Sequence, residues 1–442
     1  MREGWVSRRR VCLASRLLVV LALLRIPHLS HAQDMRLDEP PELLPGGAGA
    51  PYLPHVEAGL FTEPRILTSA INAAFDRLGD TGTAANGFYA ELSNMITGSG
   101  WVSIGPGYRQ DVLNGKGFID ASAAVSWRAY NMMQTRFEMP QLFNDRFSWG
   151  TQLMWQDQTQ INYFGIGPNS VEADQSQYRL QSVDTVAYGT YRPGPSLALA
   201  GEFGFLRRPD VLSPSGPFKP FVPTTTEAFP NDPGASEPFQ PNYAHTEVSL
   251  TSDTRNRRSY PTSGHVYRAS MASFVDQSTS IGTFSFRQYE AEGVQFIPLL
   301  DSRNWVLALR GWMVWSDVPG GNQVPFYLLP SLGGNNSLRS YADYRFHDQN
   351  LLLTNVESRW GLWTHLDGAV FFDAGNVAAR VSNLNLDKLS VGAGIRLHTE
   401  RATFARLDAA YGAEGWAVVF RTSDPFRLAR LTRRVAPVPF VP

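Results

Sequence analysis

The sequence predicts an all-β fold: a sixteen-stranded antiparallel β-barrel that spans a membrane, preceded by one short periplasmic or plug helix. Three observations lead there. From residue 87 on, the chain is a succession of strand-length runs, most of them close to the ~9–11 residues that a tilted membrane strand requires. Where alternation is clearest, one strand face is apolar and the other small or charged, as for a strand with lipid on one side and water or an inserted loop on the other. The links between runs alternate between short and long, the asymmetry of barrels with tight turns on one side and long loops on the other.

At the N-terminus, Arg8, Arg9 and Arg10 precede an apolar run from Leu17 to Leu24, and Ser30-His31-Ala32 forms a small-x-Ala cleavage site. This is the pattern of a secretory signal peptide spanning residues 1–32. Cys12, the sole cysteine, lies before the apolar run, so a chain cleaved after Ala32 has no disulfide and no cysteine metal site. That chain would carry 33 basic and 39 acidic residues, a formal net charge of −6 that points away from nucleic acid. No later apolar run reaches the ~18 residues of a membrane helix.

Residues 33–86 read as a linker with one amphipathic helix. Proline and glycine dominate up to Pro54. Thr62 then stands as N-cap with Pro64 in the first turn. Ile66, Leu67, Ala70, Ile71, Ala74, Phe75 and Leu78 recur at helical spacing, and Gly79 ends the run. Such a helix would pack on the barrel rim or in its mouth.

Residues 87–421 hold the strands. They are placed near 87–96, 101–110, 117–128, 131–140, 146–158, 176–191, 196–206, 243–253, 264–275, 282–297, 303–316, 350–361, 366–377, 387–398, 403–412 and 415–421. In 387–398, Leu389, Val391, Ala393, Ile395 and Leu397 oppose Ser390, Gly392, Gly394, Arg396 and His398. Counted from a periplasmic start, even-to-odd links such as Asp111 to Lys116 are short, whereas odd-to-even links include 159–175, 207–242 and 317–349. Loop 207–242 holds nine prolines and reads as an extended external cover. Residues 422–442 form a basic C-terminal tail with Arg427, Arg430, Arg433 and Arg434, read as disordered or in contact with acidic lipid or a partner.

The stretch 332–377 carries the strongest motif. Gly333, Gly334, Leu338, Arg339, Ser340 and Tyr341 form a glycine-rich loop with one arginine. Alternation then places Asn355, Glu357 and Arg359 on one strand face, and Ala369, Phe371, Asp373 and Gly375 on one face of the next. Upstream, Asp253, Arg255, Pro261 and Gly264 punctuate a turn that the same parity count places on the periplasmic side.

These motifs, in this order, resemble the BamA/TamA family of outer-membrane proteins, the bacterial surface antigen barrels. That family's loop pattern has glycine where Ser340 stands. The resemblance implies location in the outer membrane, contact with its lipid, and protein insertion or export, with client outer-membrane proteins or periplasmic factors as partners. It further implies that Arg339 folds into the barrel and pairs with Glu357 and Asp373. The 54 residues from Gln33 to Asn86 leave most or all of the family's periplasmic receptor domains absent. A passive pore, or a structural or lipid-handling barrel, is the rival reading.

Enzyme motifs are missing: there is no H-E-x-x-H, phosphate-loop lysine motif or G-x-S-x-G elbow. The pairs Gly105/Gly107, Gly165/Gly167 and Gly392/Gly394 read as bends or close strand contacts. Asp157 and Asp184 read as lumen wall, and His347, His365 and His398 lack ligand spacing. The expectation is a protein with neither catalytic activity, metal nor cofactor.

Overall fold

The computed structural model describes residues 60–61, 64, 86–92, 103–216, 222–257, 260–278, 283–300, 305–398, 403–421 and 424–426. The expected leader, the expected linker to Pro54 and the expected tail beyond Phe426 lie outside them, as does the expected helix apart from Pro64.

Sixteen strands form one antiparallel sheet in sequence order. The first half contains β1 (Gly87–Leu92), β2 (Ser103–Val112), β3 (Gly117–Ser126), β4 (Asn131–Leu142), β5 (Phe147–Tyr163), β6 (Ser176–Gly194), β7 (Leu197–Leu212) and β8 (Tyr243–Asp253). The second half begins with β9 (Gly264–Asp276), β10 (Phe286–Pro298) and β11 (Trp305–Asp317). Two short strands, β12 (Ser331–Leu332) and β13 (Phe346–His347), then pair with each other inside the connection that follows. The sheet resumes with β14 (Asn350–Gly361), β15 (Leu366–Ala378), β16 (Lys388–His398), β17 (Thr403–Gly412) and β18 (Gly415–Arg421).

A closed barrel was the expectation. Among the described residues, β1 pairs only with β2 and β18 only with β17, so the sheet has two end strands and no ladder between them. β1 is also shorter than expected, six residues rather than a run to 96. In contrast, β5, β6 and β7 are longer than expected, at 17, 19 and 16 residues. The outer ends of β5 and β6 lose the period of two because nearly every residue there is buried. Ile161, Tyr163, Tyr178, Leu180 and Leu206 are buried in one aromatic-rich cluster with Phe326, Tyr327 and Tyr344 of the β11–β14 connection. The proline-rich connection therefore starts at residue 213, not 207, and its Thr225–Ala228 turn of helix is closed by a capping box between Thr224 and Glu227.

Burial across the sheet is inverted relative to a protein with an oily core. Glu357, Asp373 and Asp408 have no exposed surface, while Trp416 and Val418 are about three-quarters exposed at 75% and 73%. Ile104, Ile119, Met133, Leu153, Phe203, Val248, Phe372, Val391 and Leu407 are likewise exposed. An apolar outer surface around a charged interior is costly in water, and it is what hydrocarbon on the outside requires. Among the described residues no helix is long and apolar enough to cross a membrane. The strands carry that apolar band.

Candidate functional site

The β11–β14 connection does not project away from the sheet; it folds onto the sheet's inner face. Its start needs two glycines. Gly333 and Gly334 have φ of 117° and 90°, and a Cβ on Gly333 would lie 2.3 Å from the Ala342 carbonyl oxygen. The Gly333 N–H donates to Ser337 Oγ at 2.9 Å, which tightens the bend. Leu338 and Tyr341 then anchor it by burial among Trp312, Leu332, Phe346, Leu351, Leu353 and Val377. Gly375 lies below, where a Cβ would come within 2.8 Å of the Leu352 carbonyl oxygen.

Between these two anchors sits Arg339, 2% exposed. Its Nε and Nη2 donate to the two Asp373 oxygens at 3.0 and 2.7 Å, a fork-to-carboxylate pair, and Nη1 donates to Glu357 Oε2 at 2.5 Å. The Arg339 backbone N–H adds a bond to Asp373 at 3.3 Å. The guanidinium carbon stands 3.4 Å from the centre of the Phe371 ring, a cation–π contact. Burial alone pulls this guanidinium's pKa down, but Asp373 and Glu357 outweigh it and the net shift is upward. Of the residues singled out in the sequence, Glu357, Asp373 and Phe371 are thus each in contact with Arg339.

The same cluster contains charges that sequence reasoning did not gather. Glu357 also accepts from Arg396 at 2.9 Å and from Arg359 at 2.8 Å. Asp408 bridges Arg396 at 2.5 Å and Arg406 at 2.9 Å, and Arg359 holds Asp424 at 2.7 Å. Four arginines (339, 359, 396, 406) thereby meet four acids (357, 373, 408, 424), and burial is tolerable because each charge has a partner. The loop is held at its flanks too. Arg406 donates to the Asn335 carbonyl at 2.7 Å, Arg310 to the Asn336 carbonyl at 2.6 Å and Asn355 to the Ser337 carbonyl at 2.8 Å. Alternation within β17 does put Arg406 and Asp408 on one face, and this was the signal available for them.

Glycines make the room. A Cβ on Gly392 would meet the Phe371 ring at 2.4 Å, one on Gly394 the Asp408 carboxylate at 2.1 Å, and one on Gly412 the Ser340 hydroxyl at 2.2 Å. The Gly392/Gly394 pair is therefore a close-contact floor beneath the arginine cluster. Ser340 fits because Gly412 opposes it, and its N–H donates to Ser390 Oγ at 2.9 Å.

At the other end of the strands, the β8–β9 connection is built by its own motif. Arg255 bonds Asp253 through Nε at 2.9 Å and Nη2 at 2.7 Å. Gly264 has φ of 92°, and a Cβ there would stand 2.2 Å from the Thr254 carbonyl oxygen. Pro261 is buried beside Tyr260, whose hydroxyl donates to Asp367 at 2.5 Å and whose ring stacks on His398 at 4.0 Å. This turn reaches across to β15 and β16. Among the described residues it makes no contact with Arg339.

Residues 113–417 match the family model of the Omp85 superfamily domain, which is more than half of the chain. The chain belongs to the Omp85 superfamily. Members of this superfamily insert or transport proteins and are not enzymes, and they reside in outer membranes, which is where this protein is located. Among solved structures, BamA from Haemophilus ducreyi lacking POTRA domains 1–3 is similar over 80% of this chain and 77% of that one, with 17% identity and a TM-score of 0.54. At that identity the likeness is one of fold. CdiB from Escherichia coli is 10% identical over 76% of this chain and 63% of its own, with a TM-score of 0.49. No curated protein matches.

Three other residues noted in the sequence have local settings in this Omp85 chain. Asp157 pairs with Arg179 at 2.7 Å and Asp184 with His245 at 2.9 Å, both along the inner wall. His347 lies in β13, where burial lowers its pKa to about 3. Among the described residues no group of histidines, cysteines and acids could hold a metal ion.

Proposed function

We propose that this protein inserts or exports proteins at the outer membrane, with the β1/β18 edges as the place where an extended client segment adds a strand. The observation that carries this reading is the pair of end strands, each with a backbone ladder on one side only among the described residues. An unpaired strand edge is a template for another chain. In this reading the sixteen strands close into a barrel in the membrane, Arg339 with Glu357 and Asp373 pins the outer loop inside it, and lateral opening is controlled from there. Residues 1–32 act as signal peptide, 33–86 as linker with one rim or plug helix, and 422–442 as the tail. Membrane lipid is the immediate partner; client outer-membrane proteins and periplasmic factors are the others.

The test is reconstitution of the purified chain in lipid vesicles with a urea-unfolded client barrel. Client folding is followed by its faster electrophoretic migration before boiling. Wild type is expected to speed client folding, and Arg339→Ala to lose most of that acceleration. Equal client folding in empty and loaded vesicles, together with steady ion conductance in the loaded ones, would instead identify a passive pore.

A further inference from the structure

The chain does something unexpected after its last strand. β18 ends at Arg421, yet Asp424 and Phe426 are both buried against the inner wall, at 8% and 2% exposure. Asp424 accepts two bonds from the Arg359 guanidinium, Nη1 at 2.7 Å and Nη2 at 3.1 Å, and receives the Phe426 N–H at 2.8 Å. That last bond bends the chain so that the phenylalanine points into an apolar patch of Val266, Val294, Phe296, Val306 and Ala308. The Phe296 ring meets it edge-on at 6.3 Å, and the Arg359 guanidinium lies 5.0 Å from its centre. One arginine therefore serves both parts of the segment, bonding the acid and covering the ring.

The wall residues belong to β9, β10, β11 and β14. They share a face with Glu357: Val306 lies opposite Arg359, Ala308 opposite Glu357, and Phe296 opposite Ala308. β18 has one neighbour in the sheet among the described residues, β17. Asp424–Phe426 supplies a second attachment, to strands well away from β18 in the sheet order, and so ties down the end of a strand that has a ladder on one side among the described residues.

We propose that the Arg359 patch is a binding site for an acid-x-phenylalanine segment, filled by the chain's own Asp424-Pro425-Phe426, and that this clasp restrains the edge strand β18. Outward movement of β18 has to pull Asp424 from Arg359 and Phe426 from its patch. Glu357 accepts from both Arg359 and Arg339, so the clasp and the outer loop share one carboxylate. That the clasp limits entry of a client strand rests on the insertion reading above. The clasp itself rests on geometry alone.

The test uses the full chain folded in vesicles, with Cys12→Ser and Val306→Cys so that a single thiol lies under Phe426. With the segment seated, a water-soluble maleimide should label this thiol slowly. Asp424→Asn, Phe426→Ala and a chain ending at Ser423 should each raise the rate about tenfold or more. Amide exchange in Trp416–Phe420 should accelerate by a similar factor in the same variants, with the β9–β11 ladder unchanged. Unchanged labelling in the chain ending at Ser423 means that the site is empty, and the proposal fails. Faster labelling with unchanged β18 exchange means that the segment sits there without restraining the strand, which overturns the clasp. If the truncated chain does not fold, Asp424→Asn, which keeps size and removes charge, still decides. None of these readings depends on a client, so a failed client assay leaves the clasp standing and a failed clasp leaves insertion standing.

Discussion

At Arg339 the balance of charge is decided by geometry. Two acids on neighbouring strands, Glu357 and Asp373, would repel in a dry site, and a planar guanidinium between them satisfies both at once. Arg339→Ala leaves those carboxylates buried with one cation fewer, a class of change that typically costs ~3–5 kcal/mol. The expected result is faster proteolysis between Gly333 and Tyr341 in membranes and loss of the heat-resistant fast-migrating band at a lower temperature. Lysine should recover little, because a single ammonium cannot span the fork. A second residue-scale prediction concerns His347, whose pKa burial lowers to about 3. A base held neutral in the folded protein is protonated on unfolding, so the unfolded state binds more protons between pH ~6.5 and ~3 and stability falls as pH drops through that window. Burial raises the Asp348 pKa, which acts in the opposite sense, so the assignment needs a variant. His347→Gln should flatten the acid-induced loosening of the outer connections, read by amide exchange at pH 7 and pH 4. The arginine, glutamate and aspartate were legible in the sequence because two period-two runs put both acids on the polar face. Asp424 was not, since it follows the last strand, where no period exists to assign it a side.

At the scale of elements, strand order was readable from run lengths, and all sixteen strand positions have counterparts in the sheet. The outer ends of β5 and β6 were not, because residues such as Ile161, Tyr163 and Tyr178 are buried against the connections there, which erases alternation. The small residues of β16 are the element-level counterpart of the arginine cluster. Gly392→Ala would drive a methyl to 2.2 Å from the Ala409 carbonyl oxygen and 2.4 Å from the Phe371 ring. Backbone cannot yield as a side-chain tip can, so a loss of about 1–3 kcal/mol is expected, seen as a lower temperature for loss of the folded band. Gly201, with open space at its Cβ position, should accept alanine with little change in that temperature and serves as the control. Sidedness has its own check. An epitope inserted at the exposed Phe239 should bind antibody on intact cells, whereas one between Arg257 and Tyr260 should not. The reverse pattern would show that the parity is off by one strand.

For the whole molecule, the inverted burial pattern settles which solvent belongs on which side, and with it much of what a composition table leaves ambiguous. An aromatic content of 12% fits either a soluble β protein or a membrane barrel; the exposure of Trp416, Phe420, Tyr411 and Trp149 on the outer face distinguishes them. The mature protein is therefore expected to fractionate with outer membranes, to start at Gln33 by mass spectrometry and to migrate faster unboiled than boiled. Recovery from the soluble periplasm with unchanged mobility would contradict it. The outer connections are tied to one another as well: Arg345 binds Ser170 of the β5–β6 connection at 2.7 Å and Glu414 of the β17–β18 turn at 2.7 Å.

The positions of the four acids around the arginine cluster carry a consequence for time rather than space. Arg339 is made first, and every one of Glu357, Asp373, Asp408 and Asp424 comes after it in the chain. The loop arginine's own counter-ions, Glu357 and Asp373, follow it by 18 and 34 residues, whereas Asp408 and Asp424, which pair Arg396, Arg406 and Arg359, arrive only with the end of the chain, so the cluster is completed last. A nascent chain stalled before β17 would hold Arg339, Arg359 and Arg396 with only Glu357 and Asp373 to balance them, a half-built interior that quality-control proteases could tell from a finished one.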